Sequence, residues 1–90
     1  MGMDIVERHQ QNSQKLQYCF QQLQSMDMVP KSKMWQFYKN VSNAFTELDR
    51  EMVDCRRHSK ITPRYNTLER RYYECITVFE QWSIMAALTY

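Results

Sequence analysis

Apolar side chains recur along this sequence at alternating spacings of four and three, the rhythm of one face of an α-helix. The middle of the chain keeps it most regularly. Met34, Tyr38, Val41, Phe45, Leu48, Met52 and Cys55 form a single seam, enough for a helix of about seven turns. Before it, the same spacing runs through Ile5, His9, Asn12, Leu16, Cys19, Leu23 and Met26, apolar only in its second half. After it come Tyr65, Leu68, Tyr72, Cys75, Phe79, Trp82 and Ala86. Punctuation falls between the seams. Asp4 with Glu7 three residues on reads as a capping box. Pro30 forbids a helix continuing through Asp27 to Ser32. Thr62-Pro63 supplies a capping hydroxyl followed by proline at the first helical position. The spacing predicts helices over about 4–26, 32–58 and 63–88 of one domain, residues 1–90. Two short connections between helices of similar length predict an all-α, antiparallel, up-down-up three-helix bundle.

Stacking the seams by axial rise places Cys19 and Cys75 at similar heights, with Cys55 well below them. It also gathers His9, Asn12, Tyr65 and Tyr72 near the second connection, so that half of the core is expected to be polar. In this register His9 is a core-edge side chain bonded to Asn12 or Tyr72, and His58 a cation closing the second helix.

Composition narrows the function. One glycine and two prolines in 90 residues leave no material for a glycine-rich phosphate loop, a dinucleotide fingerprint or a nucleophile elbow. No apolar run approaches the roughly 20 residues that span a bilayer. The start of the chain lacks a secretory pattern, and Val6 stands where a myristoylation signal wants Ser or Thr. Three cysteines, an odd number without close pairing, suit a reducing compartment, and the expected location is cytoplasmic. All three fall on seam positions and read as buried hydrophobes. Metal-ligand pairs such as C-x-x-C are missing. The carboxylates are expected on solvent-facing positions, with no acid–base constellation and no inward-facing lysine or arginine. The expectation is a non-enzyme without cofactor or small-molecule substrate.

Two surfaces remain. Arg56, Arg57, Lys60 and Arg64 surround the second connection without an intervening acid, with Arg8 near the same end and Arg70 and Arg71 about two turns along the third helix. Such a patch suits phosphate backbones. Residues 47–73 also admit a helix-turn-helix reading with Arg64, Asn66, Thr67, Arg70 and Arg71 as readers. Against it stand a turn without glycine, an overlong first helix and the acids Glu69 and Glu74 beside the phosphates. At the other end, Phe20, Met28, Val29, Trp35, Phe37, Trp82, Ile84, Met85 and Leu88 exceed what one seam against two neighbours covers. The glutamines of the first helix (Gln10, Gln11, Gln14, Gln17, Gln21, Gln22, Gln24) read as a solvated face. The sequence therefore points to a small regulator, adaptor or inhibitor. Its expected contact with a protein partner, or with its own second copy, runs through Trp35, Phe37, Trp82, Ile84, Met85 and Leu88. Nucleic-acid binding through Arg56, Arg57, Lys60, Arg64, Arg70 and Arg71 is the alternative. No membrane contact is expected.

Overall fold

A computed structural model of the protein describes residues 4–26 and 32–89. It holds three α-helices, α1 (Ile5–Ser25), α2 (Ser32–His58) and α3 (Pro63–Thr89), and no strand among the described residues. Met28, Val29 and the helix-breaking Pro30 lie outside the described residues.

Local chemistry sets the helix ends. Asp4 Oδ1 accepts from the Val6 N–H at 3.2 Å, satisfying one of the free donors that open α1. At the end of α2 the Lys60 N–H donates to the Cys55 carbonyl at 3.1 Å and the Ser59 N–H to the Arg56 carbonyl at 3.2 Å. This is the paired bonding of a Schellman cap, and it needs a left-handed residue, here Ser59 with φ 56°. Thr62 then opens α3: its Oγ1 accepts from the Tyr65 N–H at 3.1 Å and donates to Glu51 at 2.8 Å. The Thr62 N–H points at Cys55 Sγ, 3.4 Å away. The α2–α3 connection is thus tied to α2 at several points rather than merely looped.

The core contains Cys19 and Leu23 from α1, Met34, Val41, Ala44, Leu48 and Cys55 from α2, and Tyr65, Tyr72, Ile76 and Phe79 from α3. Contacts along α2 and α3 run in opposite chain sense, Phe37 meeting Trp82 while Phe45 meets Tyr72. Those of α1 with α3 run in the same sense, Arg8 meeting Glu69 and Asn12 meeting Tyr73. The seam of α3 differs from its sequence expectation. Its buried centre is Tyr65, Glu69, Tyr72, Ile76, Phe79 and Ser83, with Leu68, Cys75, Trp82 and Ala86 only half-buried. The reason is geometric: a helix packed against two neighbours buries a stripe wider than one apolar row. The expected row is the side of that stripe turned toward α2, as the stacking of Phe37 on Trp82 shows.

Candidate functional surfaces

A buried polar network joins the first half of α1 to the other helices. Arg8 Nε donates to Glu69 Oε2 at 2.8 Å, and its Nη2 donates to Glu69 Oε1 and to the Asn66 side-chain amide oxygen Oδ1. Asn12, fully buried, donates to the same Glu69 carboxylate at 2.8 Å and accepts from the Tyr73 hydroxyl at 2.9 Å. The Tyr72 hydroxyl donates to the Asn12 backbone carbonyl. Among the described residues no buried side-chain polar atom lacks a partner, which is the condition for such a network to cost little.

This corrects the expectation that every carboxylate faces solvent and that no arginine turns inward. Glu69 is buried because α1 offers it Arg8 and Asn12, partners three helical turns of sequence pattern in α3 do not reveal. Burial opposes its ionisation, but the Arg8 and Asn12 hydrogen bonds outweigh that and hold its pKa below the ordinary value. His9 departs from expectation too. Its Nε2 lies 2.7 Å from Asp49 Oδ1 and its Nδ1 faces the Tyr65 hydroxyl at 3.4 Å, while its ring stacks on Phe45 with centroids 4.9 Å apart. Because a carboxylate only accepts, Nε2 carries the proton shared with Asp49.

The basic end is less free than its sequence implies. Arg56, Arg57, Lys60 and Arg70 are exposed. Arg64 lies 3.5 Å from Glu51 and Arg71 3.1 Å from Glu47, so two of the six cations are matched by acids of α2. Arg8 is withdrawn into the buried pair with Glu69. Of the helix-turn-helix readers, Asn66 accepts from Arg8 and Thr67 Oγ1 donates back to the Pro63 carbonyl.

At the opposite end the six predicted contact residues divide. Phe37 and Trp82 stack on each other, centroids 5.2 Å apart, and pack against the core, with the Lys33 ammonium 5.4 Å over the indole. They are support rather than open surface. Trp35 is 40% exposed and meets Phe20 and Tyr38 edge-on. Ile84, Met85 and Leu88 are 60%, 57% and 83% exposed on the last turns of α3. Tyr18, 54% exposed, was missed by the seam analysis and borders Ile84 along the α1–α3 groove. An aromatic among seven glutamines gives little signal until α3 is laid beside it.

The cysteines are free: Cys19 and Cys55 are buried and Cys75 is half-buried. Burial, with Glu80 nearby, pushes the Cys19 thiol up to about 11, making it a poor nucleophile at neutral pH. Among the described residues no group of three His, Cys, Asp or Glu is placed to hold a metal ion. None of their helices is long and apolar enough to cross a membrane. No family model, no curated protein and no solved structure matches this chain.

Proposed function

We propose that this chain is a small regulator or adaptor without catalysis of its own, binding a protein partner or a second copy of itself through the end of α3. The observation that carries this reading is the exposure of Ile84, Met85 and Leu88 within two turns, with Trp35 exposed on α2. Large apolar side chains scattered singly need no explanation, but three on one helix end are a contact surface in waiting. Phe37 and Trp82, near the same end, stack on each other between α2 and α3 and brace the two helices there. Unpaired cysteines suit a reducing cytoplasm as the place where it acts.

A second reading, nucleic-acid binding, draws on Arg56 and Arg57, exposed in the last turn of α2, and Lys60 just beyond it, beside a connection fixed by the Schellman cap and Thr62. The matching of Arg64 and Arg71 by acids weighs against it.

Light scattering and oligonucleotide anisotropy on one stock separate the two. The protein-binding reading expects no oligonucleotide binding at near-physiological salt, and expects any self-association to vanish in an Ile84→Glu, Leu88→Glu variant. Salt-sensitive oligonucleotide binding that Arg57→Ala with Lys60→Ala removes would put the second reading first.

A further inference from the structure

The two halves of α1 are held by different forces. From Leu16 onward it inserts Leu16, Cys19 and Leu23 among apolar neighbours. Before that, Ile5 is its one apolar side chain packed on the core cluster, and what fastens it is mainly polar: Arg8 and Asn12 on Glu69, Tyr72 and Tyr73 on Asn12, Asp49 on His9. Fully burying one leucine contributes roughly 1.5–3 kcal/mol. A buried ion pair returns little net stability, because desolvation consumes most of its attraction, yet removing one partner is costly. Stability is therefore uneven along a single helix.

We propose that the first three turns of α1, Asp4 to Lys15, form a flap latched by Glu69, which opens from α2 and α3 while Leu16 to Ser25 stay docked. One carboxylate receives both Arg8 and Asn12, so the latch closes or opens as a unit rather than bond by bond. Opening uncovers the Phe45, Tyr65 and Tyr72 face on which His9 and Arg8 lie. It also uncovers Cys55. That thiol is fully buried at the level of Asp4, Ile5 and Val6, which share a cleft with it and with the α2–α3 turn. Cys19 is buried beside Phe79 and Ser83, under the half of α1 that stays closed. The protein thus carries its own pair of reporters.

The test is native-state alkylation of the full chain with N-ethylmaleimide at neutral pH, each cysteine followed by mass spectrometry. The flap predicts that Cys55 labelling is nearly insensitive to low urea, whereas Cys19, reached only by global unfolding, accelerates steeply. Leu23→Ala destabilises the closed and flap-open states alike, so it speeds Cys19 and leaves Cys55 unchanged. Glu69→Gln removes the latch charge and speeds Cys55 by about tenfold. Equal urea dependence of the two thiols in the unsubstituted protein overturns the proposal, and this arm stands even where a variant fails to fold. Equal acceleration of both by Leu23→Ala overturns it as well. A Cys55 rate unmoved by Glu69→Gln removes Glu69 as the latch.

Discussion

Asn12 ties α1 to α3 through three of its polar groups. Its amide nitrogen serves Glu69, its amide oxygen serves Tyr73, and its backbone carbonyl serves Tyr72, all without solvent contact. Asn12→Ala leaves the half-buried Tyr73 hydroxyl and part of the buried Glu69 carboxylate without partners, at about 1–3 kcal/mol for such groups; urea denaturation reads it as a lower midpoint. Glu69 makes stability depend on pH on the acid side. Its folded pKa lies below the ordinary 4.5, so its contribution is complete above that value and is lost as pH falls through the folded one. Glu69→Gln is therefore expected to flatten the fall of the urea midpoint below pH 4.5. Tyr65 works in the opposite direction. Burial, only partly offset by the Asn12 hydrogen bond, pushes its phenol from 10.0 up to about 12. Its stabilisation is complete below pH 10 and disappears as pH rises toward 12, a slope that Tyr65→Phe should reduce in alkaline urea titrations.

Each helix was legible in the sequence to the degree that its chemistry is local. Thr62-Pro63 marks the start of α3 because a capping hydroxyl and a proline act within one turn, and the Thr62–Tyr65 bond is there. The seam of α2 reads directly because nearly every large residue on its inner face is apolar, only the small Ala44 escaping notice. Glu69 was not legible. Its burial depends on Arg8, sixty-one residues away, and no periodicity carries a pairing between helices. Likewise the sequence pairs His9 with Asn12 or Tyr72, whereas Asp49 on α2 and Tyr65 on α3 receive it. The α2–α3 connection supplies a test at this scale. Ser59 holds a left-handed conformation that costs a non-glycine residue roughly 1–2 kcal/mol. Ser59→Gly relieves it, and thermal denaturation should show a gain near 1 kcal/mol. Thr62→Ala should lose about 1 kcal/mol through the missing cap.

The whole molecule is a rod of 47 × 21 × 16 Å with unlike ends. Around the α2–α3 turn it is cationic and pinned by backbone caps, and at the last turns of α3 it is apolar and exposed. The buried polar network fixes how α1 lies on α3 and takes Arg8 and Asn66 from the cationic end, but not Arg56, Arg57, Lys60 or the last turns of α3, so those can be altered while the fold is kept. Surface substitutions away from caps and core change stability by less than about 0.5 kcal/mol. The Ile84→Glu, Leu88→Glu variant should therefore melt with the unsubstituted protein. The contact surface was only partly legible: the apolar excess at the chain's end shows in the sequence, but that Phe37 and Trp82 stack inward while Tyr18 turns outward depends on neighbours.

The central claim is that the end of α3 binds a protein. The most direct measurement is immobilised capture with three matched baits: the unsubstituted chain, Ile84→Glu with Leu88→Glu, and Arg57→Ala with Lys60→Ala. The account predicts one protein, a second copy of the chain included, retained by the first and third baits and released by the second. Retention of the same proteins by all three, or of none by any, would contradict it.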